Sequence, residues 1–167
     1  SAVGIILVRN EFDLKTAIDK YSDTVKRICY LYLKNSYDTE DVFQNVFLKY
    51  ALSDKVFESS ENEKAWIIRV TMNACKDVGR NYFRKNTVPL EAAGMIPAEE
   101  KEDFEYVRIA VLKLPKKYKD IVYLYYFEGY KADEIAGIIG INENTVYTRL
   151  ARARKILKDE LGGDFDE

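Results

Sequence analysis

The stretch that most constrains the fold runs from Lys131 to Lys158, KADEIAGIIGINENTVYTRLARARKILK. Ile135, Ala136 and Ile139 fall on one face of a first helix, Gly140 and Ile141 fit a tight turn, and Asn142 has the side chain to cap a second helix. In that second helix Val146, Leu150, Ala153 and Leu157 recur at i, i+4, i+7 and i+11, an apolar stripe that has to be buried against the first helix. Asn144, Thr148, Arg152 and Lys155 then point the other way. Thr145 to Lys158 holds five basic residues, Arg149, Arg152, Arg154, Lys155 and Lys158, and no acidic one. A basic amphipathic helix alone is often only a solvated face. Together with the small residue Ala136 at the crossing, the glycine turn and a capped, polar start, it predicts a helix-turn-helix whose second helix suits a DNA major groove.

With 167 residues, 47% of them apolar, the chain has enough material for one domain or two small ones. No apolar run approaches the roughly 20 residues that cross a bilayer, and the opening SAVGIILVRN lacks the length and the basic start of a signal peptide or anchor, so no membrane insertion is expected. There is no histidine, which removes the commonest general base, the commonest metal ligand and every Ser-His or Cys-His nucleophile. Cys29 and Cys75 lie inside apolar helical patterns, as buried free thiols do in a reducing cytoplasm. No enzyme activity, metal or cofactor is expected. The net charge of −2 conceals a division. Arg69 to Lys85 carries +4 from five basic residues and Asp77, Thr145 to Lys158 carries +5, and the remainder sums to −11. Two basic patches on an acidic body fit a protein that holds DNA at two places, because attraction to phosphates is local and screened.

The first half is helical throughout. Phe12, Ile18, Tyr21, Val25, Ile28 and Tyr32 predict a helix ending near Asn35, and a second opens after Asp38, a capping residue, with Glu40 and Asp41 at its positive end. Val42, Phe43, Val46, Phe47 and Tyr50 form its apolar face; Gln44, Asn45 and Lys49 lie opposite. A third helix begins near Glu63, with Trp66, Ile67, Val70, Ala74 and Val78 inward and Arg69, Asn73, Lys76 and Arg80 outward. Phe83 joins the polar side, beside Tyr82 and followed by Arg84 and Lys85. Rings among basic residues suit unpaired bases, which stack on them while their phosphates meet the charges. The same pattern also fits a solvated helix whose aromatic residues close a core. From Asn86 to Asp103, Pro89, Gly94, Pro97 and a run of acidic residues mark a linker. A helix from Phe104 to Leu114 comes next, then one headed by Pro115, ended by Gly129 and buried through Ile121, Val122, Leu124, Tyr125 and Phe127. The fold expected is all-α: two small helical domains, 1–86 and 104–167, joined by a flexible acidic linker, 87–103, the C-terminal domain being a helix-turn-helix.

With these residues placed, the chain resembles a bacterial sigma factor of the extracytoplasmic-function (ECF) group of the sigma-70 family. The similar stretches are DTEDVFQNVFLKY (Asp38 to Tyr50), WIIRVTMNACKDVGRNYFRK (Trp66 to Lys85) and the run from Leu114 to Leu157, with the acidic linker between the domains. The resemblance implies a cytoplasmic protein that binds core RNA polymerase and directs promoter recognition, and it leaves room for an anti-sigma factor as a further partner. It assigns Asp41, Gln44, Asn45, Phe47 and Lys49 to the helix that docks on the coiled-coil clamp of the polymerase's largest subunit. Asn73, Asp77, Arg80 and Arg84 fall where the family grips the minus-10 strand, and Arg69, Lys76 and Phe83 lie on or beside that face. Thr145, Tyr147, Thr148, Arg149 and Arg152 fall on the minus-35 reading helix, where Asn144 and Lys155 share the outer surface. Gly79 departs from the family pattern inside a usually unbroken helix, at about 1 kcal/mol relative to alanine. Asn81, Tyr82 and Phe83 replace part of a usual arginine run. Two rival readings are a polymerase-independent helix-turn-helix repressor or activator that dimerises through its first half, and an interaction protein whose basic helices bind acidic partners. Neither requires Asp38 to Tyr50 together with Trp66 to Lys85.

Overall fold

The structure is a computed structural model; it describes residues 9–81, with side chains through residue 78, and residues 108–162. Every regular element among the described residues is a helix. The chain divides into two units, Ser1–Met95 and Ile96–Glu167.

The first unit is a three-helix packing of α1 (Glu11–Tyr32), α2 (Ser36–Leu52) and α3 (Ser60–Asn81), each helix touching the other two. Asparagines open the first two. The Asn10 side chain accepts from the Asp13 N–H at the head of α1, and Asn35 does the same for Asp38 at 2.8 Å at the head of α2. Asp38, expected to cap α2, instead sits in its first turn, where its carboxylate accepts from the Asn35 amide at 2.7 Å and faces the positive end of the dipole. Helix α3 begins three residues before Glu63, because the Ser59 hydroxyl accepts from the Asn62 N–H.

Two of the expected stripes are corrected. Phe12 is 77% exposed: six residues separate it from Ile18, about 600° of helical turn, which carries it off the face that buries Ala17, Tyr21, Val25 and Ile28. On α3 the fully buried residues are Ile67, Ile68, Thr71, Met72 and Cys75, while Trp66, Val70, Ala74 and Val78 are half-buried. The latter row advances by four at each step and drifts about 40° around the helix each time, so it cannot stay against two neighbours. Thr71 tolerates the core because its hydroxyl donates to the Ile67 carbonyl at 2.7 Å. Cys29 of α1 and Cys75 of α3 are free buried thiols with their sulfurs 4.0 Å apart.

One carboxylate ties the three helices together. Tyr21 of α1 and Tyr50 of α2 donate their hydroxyls to the two oxygens of Glu63 in the first turn of α3, at 2.8 and 2.9 Å. Burial, then the hydrogen bond to Glu63, pushes the Tyr50 phenol up to about 12 and raises Tyr21 as well, so both remain donors at any ordinary pH. Arg9 fastens the start of the described chain to the end of α2. Its Nε donates to the Tyr50 carbonyl at 2.9 Å, its Nη2 to the Lys55 carbonyl, and its guanidinium lies 4.3 Å from the Tyr50 ring centre.

The second unit starts in the described chain with the helical residues 108–112 (α4), whose Ala110 and Val111 are buried. Pro115 precedes α5 (Lys116–Val122), and α5 runs directly into a π turn, Tyr123–Phe127, in which the Glu128 N–H reaches back to the Tyr123 carbonyl at 3.1 Å. The unbroken helix expected up to Gly129 is therefore widened. Tyr123 and Leu124 are buried, but Tyr125 and Phe127, expected inside, are only half-buried. Next come α6 (Ala132–Ile139) and α7 (Glu143–Leu161), with Gly140 between them at φ 74°, a left-handed conformation that favours glycine. Helix α6 buries Ala132, Ile135 and Ile138, a row three residues apart, and leaves Ala136 and Ile139 half-buried. Both α5 and α6 pack on α7.

Candidate nucleic-acid interface

Helix α7 starts at Asn142, whose side chain accepts from both the backbone N–H and the hydroxyl of Thr145, each at 2.8 Å. Val146, Leu150, Ala153 and Leu157 are buried as their spacing predicts, and Asn144, Thr148, Arg152 and Lys155 are exposed. Tyr147 is 57% exposed on the flank of that outer face. Thr145 is half-buried with its hydroxyl engaged in the cap, where it helps to set the start of the helix. The Thr148 hydroxyl donates to the Asn144 carbonyl and keeps its lone pairs for an incoming donor.

The five basic residues of α7 do not form one uniform rod. Arg152, Lys155 and Lys158 are exposed, whereas Arg149 and Arg154 are half-buried on opposite flanks. Arg149 acts on Asp120 of α5, a carboxyl only 3% exposed. Burial lifts the Asp120 pKa to about 7, and the Arg149 charge pulls against that rise. Arg154 donates from Nε to the Tyr126 hydroxyl at 2.7 Å, with its guanidinium 5.4 and 5.9 Å from the ring centres of Tyr125 and Tyr126. Sequence reading missed Asp120. Its signal was a position four residues before the buried Leu124, inside a short, strongly apolar helix.

In the first unit, Arg69, Asn73 and Asp77 are exposed on α3 and Lys76 is half-buried. They share one side of the helix. The Arg80 side chain and all of Phe83 and Arg84 lie outside the described residues, as do the expected linker and the helical turn from Phe104 to Val107. On α2 Asp41, Gln44, Asn45 and Lys49 are exposed. Phe47 is not: it is 4% exposed, its ring centre 4.9 Å from that of Phe43, and it belongs to the core rather than to a docking face. Leu48 and Leu52, 43% and 42% exposed, join Asp41 and Asn45 on the outer side of α2, at the spacing 41, 45, 48 and 52 that sequence reading passed over.

Among families of known proteins, residues 17–87 match sigma-70 region 2 and residues 104–157 match sigma-70, region 4. The chain belongs to the sigma-70 family. Within it, the RNA polymerase sigma factor SigV of Bacillus subtilis is 29% identical over 150 residues, covering 89% of this chain and 90% of the relative. The ECF RNA polymerase sigma factor SigW of the same organism is 27% identical over 161 residues, covering 86% of each. This sigma factor is accordingly of the ECF type. Its fold is shared with RpoE of Bartonella quintana, solved with the anti-sigma factor NepR, at a TM-score of 0.74 and 20% identity over 92% of this chain and 99% of that one. It is also shared with CnrH, solved with the cytosolic domain of CnrY, at 0.68 and 20% identity over 93% and 92%. Among the described residues of the sigma factor, no helix is long and apolar enough to cross a membrane, and no group of three or more His, Cys, Asp or Glu side chains could hold a metal ion.

Proposed function

We propose that this chain binds core RNA polymerase and directs it to promoters, reading the minus-35 element with α7 and holding the minus-10 strand with α3. The observation that carries the reading is the division of α7 into a buried stripe and an exposed face of Asn144, Thr148, Arg152 and Lys155 behind an Asn142 cap. Side chains of these types, near the start of a recognition helix, match base edges and phosphates in a major groove. On α3, Arg69, Asn73, Lys76 and Asp77 contact the opened strand, continued by Arg80, Phe83 and Arg84. Helix α2 offers Asp41, Gln44, Asn45 and Lys49 to the polymerase, with Leu48 and Leu52 supplying apolar contact on the same side.

The domains serving these roles are residues 1–86 and 104–167, with 87–103 as the connection. The protein works in the cytoplasm without chemistry of its own. An anti-sigma factor is a fitting further partner, given that the structurally similar RpoE was solved with one. The test mixes the full chain with core polymerase and genomic DNA fragments and sequences the run-off transcripts. Transcripts starting at a common upstream motif pair support the proposal. Sequence-specific DNA binding without polymerase, at a palindromic site and with no transcript, would identify an ordinary helix-turn-helix regulator instead.

A further inference from the structure

Arg154 is the basic residue of α7 that neither the outer face nor the core accounts for. Its Nε is spent on the Tyr126 hydroxyl at 2.7 Å, and its guanidinium lies against the Tyr125 and Tyr126 rings, which are themselves edge to face at 4.9 Å. The groups that act on it are those two phenols; among the described residues no carboxylate pairs with it. A half-buried guanidinium is therefore held in place while, among the described residues, its charge has no anionic counterpart. The π turn Tyr123–Phe127 makes this possible. One extra residue in the last turn of α5 leaves Tyr125 and Tyr126 half-buried beside α7, where a regular helix would turn them differently.

The position on α7 indicates what the charge is for. Arg154 lies about 100° around the helix from Lys155, on the flank that also carries Tyr147 and Lys158, spaced seven and four residues away. A helix lying in a major groove about 12 Å wide nearly fills it, so its flanks and its far end face the phosphate backbones while the earlier part of its outer face, through Arg152, meets the bases. We infer that Arg154, positioned by Tyr126 and Tyr125 of the π turn, is a phosphate clamp that fixes the register of the reading helix on promoter DNA. The inference rests on α7 being the DNA-reading helix. A guanidinium already fixed by its Nε loses little freedom when its tip meets a phosphate, and its planar fork matches phosphate oxygens two at a time. Lysine at this place would carry the charge without the geometry.

The experiment measures binding of core polymerase loaded with the full-length sigma factor to a labelled duplex promoter fragment between 50 and 200 mM salt, with loading checked separately by co-sedimentation. Arg154→Ala should weaken binding by several-fold to about tenfold, equally on matched and mismatched minus-35 sequences, and should reduce the slope of log K against log salt by about 0.9. Tyr126→Phe, which keeps the ring and removes the hydroxyl, should weaken binding by about two- to threefold with the slope retained. Arg154→Lys should keep the slope and lose part of the affinity, and it covers the case in which the alanine variant fails to fold. Arg152→Ala is the reference for the base-reading face. If Arg152→Ala weakens binding and Arg154→Ala changes neither affinity nor slope, or lowers affinity at an unchanged slope, Arg154 is only a tie between α5 and α7 and the clamp is overturned. If neither variant changes binding, the DNA reading of α7 fails and the clamp fails with it.

Discussion

Asp120 gives the sharpest test of how the unit containing α7 is held together. Its carboxyl is buried, and burial lifts its pKa from the ordinary 3.8 to about 7 against the pull of Arg149. The unfolded chain therefore releases this proton near pH 3.8, and the folded unit keeps it until about pH 7. Between those values the folded state binds the extra proton, so stability falls as pH rises. The contribution is fully present below pH 3.8 and lost above pH 7. A tenfold difference in proton affinity is worth about 1.4 kcal/mol, and the rise is roughly a thousandfold, so the ionised carboxylate costs the unit about 4 kcal/mol at about pH 8. Relaxation and water penetration make that an upper figure. Asp120→Asn keeps the shape and removes the titration. It should be about 2–4 kcal/mol more stable than the parent at about pH 8 and should lose the parent's decline between about pH 5 and 7. Urea unfolding by circular dichroism follows both units, whereas fluorescence of Trp66, the one tryptophan of the chain, follows the first. The dichroism change without a fluorescence counterpart belongs to the second unit. A variant that retains the decline, or is less stable than the parent at alkaline pH, would mean that the carboxylate is ionised in the fold and that Arg149 outweighs burial.

Other substitutions test other links. Glu63→Gln leaves the Tyr21 and Tyr50 hydroxyls facing a neutral amide, and the Trp66 unfolding transition should report a loss of about 1–3 kcal/mol; an unchanged midpoint would make the three-helix tie incidental. Gly140→Ala meets no neighbouring atom within 4 Å, so its only penalty is the left-handed backbone, about 1–2 kcal/mol in a denaturant melt of the second unit. Arg152→Ala should weaken polymerase binding at the minus-35 element by about 1–3 kcal/mol and relax preference at one base pair, whereas Lys155→Ala should weaken all sequences alike and flatten the salt dependence. Base-specific loss at Lys155 would mean that the helix is rotated in the groove. Phe83→Ala with Arg80→Ala should leave duplex promoter binding intact but slow opening, read by permanganate reactivity of unpaired thymines, and a template already unpaired at the minus-10 element should restore transcription; normal opening would refute a stacking role.

The helix-turn-helix was legible because its determinants are local. A cap at Asn142, a glycine at Gly140 and an apolar residue every three or four positions specify where α7 begins and which way it faces before any neighbour is known. Helix α3 was harder. Two helices press on it, and its buried centre includes Thr71 and Cys75, which carry weak apolar signals, whereas the periodic row Trp66, Val70, Ala74 and Val78 marks only the edge of the buried face. Phe47 was misassigned as a docking residue because the family motif surrounds it with exposed positions, while its own spacing to Val46 and Tyr50 already put it inward. The π turn was invisible in YLYYF, since a widened turn depends on what the extra residue meets. That partner, Arg154, is 28 residues away from Tyr126. Buried Asp120 was missed for the same reason: its environment comes from another helix.

The shared Glu63 carboxylate has a mechanical consequence. Tyr50 extends from α2 on the side opposite the exposed Asp41 and Asn45, and Glu63 stands less than two turns before Arg69 on α3. Sliding α2 along α3 by even one turn, about 5.4 Å, would break the Tyr50 bond to Glu63, while the Tyr21 bond holds α1 to the same carboxylate. The pair thus behaves as a pinned joint rather than a sliding one, and a force applied at the outer face of α2 reaches α3 as displacement of the whole three-helix body. A protein surface that captured α2 would, in the same act, aim Arg69 and Asn73 in a fixed direction.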